Sequence, residues 1–452
     1  MQRIEENERM DDERRQRIES LIRDVEGVTN GLDESTSRLI KDLIGELREL
    51  VENLSKADPV LEFFETRIWP MELAAQTKDA LDIGFCEHRK DQPLLYSAIM
   101  NKIETVKELL KHPNIDVNVH DSYGETPIYC ASMYGHYRVV RELLKHDKID
   151  VNKKRLCGRA ALHVASGKGH LKVVRELLSS KRLDVNDRAA DNDTALSMAS
   201  LYNRVDIVRE LINHKNIDVN HANGLGETAM FYACDKNHFD IVRELLKHPN
   251  IHVNVPVRYV GTPLFHAVKK NHVGCVRELL KHPNIDANTQ ERGVGETPLF
   301  VACYKGRARV VRALLRNDQV DVNRMGKRGL APLHVASRKG NIKVVRELLK
   351  SDNLAVNVAN SLGETALVLA TKDSDKWDVV RELIRHKNVD LNVRGRFGYT
   401  VLMWATLKGE LEVVSTLLQH NTLDTNLRNI AGSTALHIAH ICGHDAIATL
   451  LR

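Results

Sequence analysis

The chain has 452 residues, 42% of them apolar and 28% charged, with a formal net charge of +5. So mild a charge permits an acidic partner without demanding a nucleic acid, and no apolar run reaches the ~18 residues of a membrane-spanning helix. The start, Met-Gln-Arg-Ile-Glu-Glu, has no apolar signal core, and seven scattered cysteines form no CxxC pair. Together these point to free thiols in a reducing, cytoplasmic setting.

Residues 1–88 read as an N-terminal helical module. Ile18, Leu21, Ile22, Val25 and Val28 share one side of a charged, proline-free helix that stops at Asn30-Gly31. Asp33 or Ser35 can cap the next helix. Its Ile40, Leu43, Leu47, Leu50 and Leu54 alternate at spacings of three and four, a short coiled-coil seam. Leu39, Ile44 and Val51 widen that stripe beyond a two-stranded seam. Three arrangements fit: a cap on the array of residues 89–452, a self-associating hairpin through residues 8–86, or a separate adaptor. Phe63, Phe64 and Trp69 belong to a third segment apolar enough to join this module to that array.

From residue 89 to 452 one phrase returns every 34 or 35 residues. It is clearest as Gly124-Glu125-Thr126-Pro127-Ile128-Tyr129-Cys130-Ala131, followed by Val139-Val140-Arg141-Glu142-Leu143-Leu144-Lys145-His146 and Ile149-Asp150-Val151-Asn152. The small residue of its second step falls at Pro93, Pro127, Ala161, Ala195, Ala229, Pro263, Pro298, Pro332, Ala366, Val401 and Ala435, which makes eleven units. Two connections carry one extra residue, one before Gly261 or Gly295 and one before Gly398. Within each unit a Gly (Asn192 once) takes a left-handed turn, a Thr caps a short first helix, and a second helix carries Val-Val-Arg-Glu-Leu-Leu.

This pattern resembles the ankyrin-repeat family, whose mark is T-P-L-H-x-A before two helices and a turn. Ala331-Pro332-Leu333-His334-Val335-Ala336 and Thr434-Ala435-Leu436-His437-Ile438-Ala439 nearly match it. The resemblance spans about four fifths of the chain and implies an all-α solenoid of helix-turn-helix units, each packed only on its neighbours. It also implies that the Asn after each Val, such as Asn152, braces the projecting turn. The last unit shows little of the polar outer face expected of a terminal cap, so the array reads either as truncated at that end or as covered there by another surface.

Function is expected on the parts that vary. The Arg-Glu pair of the second helix recurs almost verbatim and reads as a charge ladder between units. The turns and first helices differ freely, and in the family they line the concave, ligand-binding side. Candidate contact residues are Met133, Tyr134, Lys153, Lys154, Arg155, Leu201, Tyr202, Lys236, Arg258, Tyr259, Lys269, Lys270, Tyr304, Lys305, Arg328, Arg338, Lys339, Arg394, Arg396 and Phe397. Basic residues dominate them, which favours an acidic protein or peptide. The expected role is a protein-interaction scaffold or adaptor. The other reading is an oligomerising or regulatory cytosolic fragment of a larger channel or receptor.

Chemistry is not expected. Histidines recur where the second helix ends, one unit apart, too far for a shared zinc. No metalloprotease, phosphate-loop or nucleophile-elbow motif is present. Cys303 and His334 make a conceivable pair that nothing in the sequence orients. No catalytic residue, metal or cofactor is assigned.

Overall fold

The computed structural model describes residues 92–258, 261–291, 295–371 and 376–452. The chain divides into two units, Met1–Asp91 and Gln92–Arg452. The helical module expected over residues 1–88, with its coiled-coil seam, lies outside the described residues.

Among the described residues, 22 α-helices form eleven pairs, from Pro93–Ile99 with Ile103–Leu110 to Ala435–Ile441 with Asp445–Leu450. Extended pairing among them is limited to two isolated bridges, Ala222 to Thr228 and Val257 to Gly261, each within one turn. The helices stack in two layers. Pro127–Met133 lies between Pro93–Ile99 and Ala161–Lys168, and Tyr137–Leu144 lies between Ile103–Leu110 and Leu171–Leu178. The array is thus an all-α solenoid whose contacts run between neighbouring units.

Local chemistry starts each first helix where the sequence places it. The hydroxyls of Thr126, Thr194, Thr228, Thr262, Thr297, Thr365, Thr400 and Thr434 accept from the amide three residues on, at 3.2–3.4 Å. Where Ala160 and Ala331 replace the Thr, His163 and His334 compensate. Their Nδ1 atoms accept from the Ala160 and Ala331 amides at 3.2 and 2.9 Å. That leaves the proton on Nε2, which donates to the Asp187 carbonyl at 3.0 Å and the Val358 carbonyl at 2.9 Å. Burial lowers both imidazole pKa values, which keeps these rings neutral. One turn shows why glycine is required: Gly158 has φ +73°, and a Cβ there would lie 2.4 Å from the Ala190 nitrogen. Asn192 takes the same conformation at φ 66°.

Packing between units is apolar and repetitive. Ile128, Leu162, Leu196, Met230, Leu264, Leu299, Leu333, Leu367 and Leu402 hold one position and are each at most 3% exposed. Burying a side chain of this size stabilises by roughly 1.5–3 kcal/mol. Leu436, at that position in the last unit, is half-buried, and Ile441 beyond it is 78% exposed.

Polar ladders tie the units together. The asparagine after the second helix braces the next unit, not the projecting turn of its own. Asn220 Nδ2 donates to the Asn250 carbonyl at 2.6 Å, and its Oδ1 accepts from the His252 amide at 2.7 Å. Asn118, Asn152, Asn186, Asn254, Asn288, Asn323, Asn357 and Asn392 do the same. A second ladder was not legible in the sequence. The residue before most second helices bonds the last carbonyls of the preceding unit's first helix, as His136 to Ile99 at 2.9 Å, His170 to Met133 at 2.9 Å, His272 to Cys234 at 2.8 Å and Asn341 to Cys303 at 2.9 Å. These bonds satisfy carbonyls that a helix end leaves open.

The expected charge ladder is present. Arg141, Arg175, Arg209, Arg243, Arg312 and Arg346 reach Glu176, Glu210, Glu244, Glu278, Glu347 and Glu382 of the next unit at 2.5–3.1 Å. The histidines that close the second helices are local stops: Nδ1 of His146, His214, His248, His282 and His386 accepts from the amide two residues on. The ladders also locate the extra residues. One lies in the turn at 291–296, where the Gly295 amide reaches back to the Glu291 carbonyl, against Gly124 to Asp121 elsewhere. The other lies between the paired helices at 372–376, not in the turn at Gly398, because the Arg346–Glu382 spacing is already 36 residues.

Replacing Asn220 with Ala should lower unfolding stability by about 0.5–1.5 kcal/mol, since the Asn250 carbonyl and the His252 amide lose their partner. Asn426 ends the ladder and its side-chain amide makes no such bond among the described residues, so Asn426→Ala should be near neutral. Urea unfolding of both variants checks the contrast.

Candidate functional site: the face of turns and first helices

The turns project from one edge and bond tip to tip. The Leu156 amide reaches the Tyr123 carbonyl at 3.0 Å, and the Ile430 amide the Phe397 carbonyl at 3.1 Å. Their outermost side chains are apolar and bare: Leu156 is 78% exposed, Leu225 61%, Leu362 72% and Ile430 77%. Two tips, Arg328 and Phe397, hold left-handed backbone at φ 63° and 64° without being glycine. Such strain persists where surroundings impose it. Behind the tips, the first helices present Tyr202, Lys236, Lys269, Lys270, Tyr304, Lys305 and Lys339 to solvent.

Charge on this face is sorted along the array. Near the start Arg155 and Lys154 are already engaged. Arg155 Nη1 sits 2.9 Å from Glu125 Oε1, with its guanidinium 5.7 Å from the Tyr129 ring centre. Lys154 meets Asp187 at 2.6 Å. In the fifth unit Asp235 gathers His266 at 2.7 Å, Lys236 at 3.0 Å and Lys270 at 3.8 Å. Burial raises the Asp235 pKa, but the bonds from His266 and Lys236 outweigh it and hold the carboxyl well below the usual range.

Between these lies a group without any basic partner among the described residues. Tyr232 Oη is 3.1 Å from Asp193 Oδ2 and 2.9 Å from Glu227 Oε2. Asn223 Nδ2 is 2.9 Å from Glu227 Oε2 and 3.3 Å from Asp193 Oδ1. One phenolic proton faces two carboxylates. Burial, with Asp191 beside it, pushes the Asp193 carboxyl up to about 6, and burial near both carboxylates pushes the Tyr232 phenol up.

The family whose description is "Ankyrin repeats (3 copies)" matches residues 72–155, 162–257, 215–291, 258–326, 319–395 and 367–452. The chain belongs to the ankyrin-repeat family. Among solved structures it is similar to the crystal structure of the ankyrin repeat domain of Bcl-3, a unique member of the IkappaB protein family. That likeness is 23% identical with a TM-score of 0.46, and covers 50% of this chain and 98% of the other. No curated protein matches significantly. As an ankyrin-repeat array the chain is a protein–protein interaction scaffold.

On the ankyrin array, the residues singled out from sequence fall into three groups. Lys269, Lys305, Arg258, Arg328, Lys339 and Arg394 are exposed and make no ion pair among the described residues; Lys339 lies 4.6 Å over the Tyr304 ring centre. Lys154, Arg155, Lys236 and Lys270 are held by carboxylates. Met133, Tyr134, Lys153, Leu201 and Arg338 are half-buried, whereas Tyr202, Tyr304 and Phe397 are 41%, 44% and 53% exposed. Tyr259 and the Arg396 side chain lie outside the described residues. Sequence reasoning missed the bare apolar tips. Their signal was a lone Leu or Ile beside the turn glycine, as in Leu225-Gly226 and Leu362-Gly363. It also missed the Asp193 group, whose members are scattered over three structural contexts.

No three His, Cys, Asp or Glu among the described residues converge for a metal, and none of their helices is long and apolar enough to cross a membrane. The Cys303 thiol is pushed up by full burial, and His334 is committed to two backbone bonds. Neither group is activated toward the other.

The Asp193 group sets a pH dependence. Its folded pKa is raised above the unfolded value of 3.8, so the folded state holds more protons and stability falls as pH rises from about 4 to 6. Asp193→Asn should remove this loss. Relative to wild type, the variant should gain up to roughly 3 kcal/mol at pH 7 and little at pH 3.5, read from denaturant midpoints at the two pH values.

Proposed function

We propose that a partner protein lays an acidic, partly apolar segment along the turn tips and first helices of this ankyrin array. The observation that carries this reading is the sorting of charge. Lys269, Lys305, Lys339, Arg258, Arg328 and Arg394 stand exposed without an ion pair among the described residues, whereas Lys154, Arg155 and Lys236 are held by carboxylates. Acidic residues of the partner face the exposed group. Its apolar side chains meet the row Leu156, Leu225, Leu362 and Ile430. Tyr202 and Tyr304 are suited to anchor it, because an aromatic ring offers large contact area with few rotors to immobilise.

The frame supports presentation without rearrangement. Several turns bond their neighbours, as Leu156 to Tyr123 and Ile430 to Phe397, and most first helices are fixed by a cap and by a donor of the next unit. Six free cysteines among the described residues support the reducing, cytoplasmic location read from the sequence. Self-association through residues 8–86 is a separate part of the proposal, supported by the apolar stripe in that sequence.

The test begins by crosslinking the partner through a photoreactive residue at Tyr304, then titrating it. Joint replacement of Lys269, Lys305 and Lys339 by Glu should raise the Kd at least about tenfold, a change of ~1.4 kcal/mol, without moving the unfolding midpoint. Leu156→Ser with Leu225→Ser and Leu362→Ser should weaken binding comparably. Unchanged affinity in both sets would rule out this face.

A further inference from the structure

The charge ladder of the second helices has one gap. Elsewhere a ladder arginine draws a carboxylate from at least one of three places. The first is the ladder Glu of the next unit, as Arg243 uses Glu278 at 3.0 Å. The second is an Asp three residues earlier, as in Arg209–Asp206 at 2.8 Å, Arg243–Asp240 at 2.9 Å and Arg381–Asp378 at 2.8 Å. The third is the first turn of the next second helix, from which Glu412 reaches Arg381 at 2.8 Å.

Arg277 occupies the ladder position in the helix Val273–Leu279, and all three places are changed around it. Ala313 replaces the ladder Glu, Gly274 replaces the Asp, and Arg309 stands where Glu412 stands for Arg381. A Cβ at Gly274 would lie 3.1 Å from the Phe239 ring, so a side chain there would require that ring to shift. The missing Glu leaves a second cation unmet. Four glutamates of this position also bind the Lys three residues on: Lys145 to Glu142, Lys247 to Glu244, Lys281 to Glu278 and Lys350 to Glu347, at 2.8–3.0 Å. After Ala313 that residue is Arg316.

Arg277, Arg309 and Arg316 are exposed, and none forms an ion pair among the described residues. The flanking ladder carboxylates are not free to turn toward them: Glu278 is held by Arg243 and Lys281, and Glu347 by Arg312 and Lys350. Ala313 is 7% exposed, as sheltered as Glu278 and Glu347 at 8%. By the period of the array, Arg277, Arg309 and Arg316 therefore flank the position at which other junctions hold a carboxylate, and Ala313 supplies none. Guanidinium groups suit this use, since they bind carboxylates through paired, directional bonds and stay charged.

We propose that Arg277, Arg309 and Arg316 form an anion site on the second-helix layer, in which an acidic side chain of a partner protein replaces the glutamate missing at Ala313. The site lies apart from the turn and first-helix face and does not depend on it. It would let the scaffold hold a second protein, or a second segment of the same one.

The probe is a fluorescent octapeptide of glutamates spaced by glycine and serine. It is titrated against the full chain carrying Lys269→Glu, Lys305→Glu and Lys339→Glu, so that the first-helix face does not compete. The peptide should still bind, and adding Ala313→Glu should weaken it about tenfold or more, because the installed carboxylate takes the guanidiniums. The same variant should raise the unfolding temperature, which separates occupation of the site from damage to it. Arg277→Gln should weaken the peptide equally without that rise. Absence of binding in the parent, or binding indifferent to Ala313→Glu and Arg277→Gln, overturns the proposal. So does an oligonucleotide of equal charge that binds more tightly through the same arginines.

Discussion

Everything in this array rests on contacts between a unit and the next. A lone pair of seven- or eight-residue helices hides too little apolar surface to offset the entropy of ordering it. Stacking buries the recurring Leu or Ile on both sides, and side chains then bond backbone across each junction. Asn220 illustrates the economy of this. One amide satisfies a carbonyl and an N–H of the next unit, so the loop that ends one helix pair is defined by the pair before it. The histidines ahead of the second helices act in the opposite direction, each closing the last turn of a helix in the preceding unit. Order therefore propagates both ways along the chain, and it weakens at the last unit, where Leu436 and Ile441 have no next neighbour among the described residues.

The frame is repetitive and its charge is not. Carboxylates about one unit away engage Lys154 and Arg155, and the adjacent Asp235 engages Lys236, whereas Lys269, Lys305 and Lys339 make no ion pair among the described residues. On the second-helix layer the ladder Glu is replaced at Ala313 and at Thr416, and only at Ala313 does the arginine before it find no other carboxylate among the described residues. A uniform scaffold makes such departures informative. Because every other junction shows what the position normally does, a missing carboxylate identifies both the vacant place and the groups that surround it. The Asp193 group is a departure of another kind: two carboxylates share a tyrosine hydroxyl at some cost to stability near neutral pH.

The legibility of these features depends on their range. Thr126 caps an amide three residues away and Gly158 must be left-handed by its own turn, so both could be read from the string. The ladder Arg141–Glu176 could be anticipated because the period itself carries it. The role of the Asn was misassigned: its partners sit 30 and 32 residues on, in a loop with no distinctive composition. The extra residue before Gly398 was assigned to the right connection, but only the cross-unit bonds place it between the helices.

The order of residues was enough to establish the eleven-fold period, the helix pairs, their caps and the identity of the variable edge, because these depend on neighbours in the chain or on strict translation by one unit. Three-dimensional packing was needed to establish which basic side chains lack an ion pair and how the asparagines and histidines join units. Those outcomes depend on residues some thirty positions apart being brought side by side, and on burial that strengthens or quenches each charge once they meet.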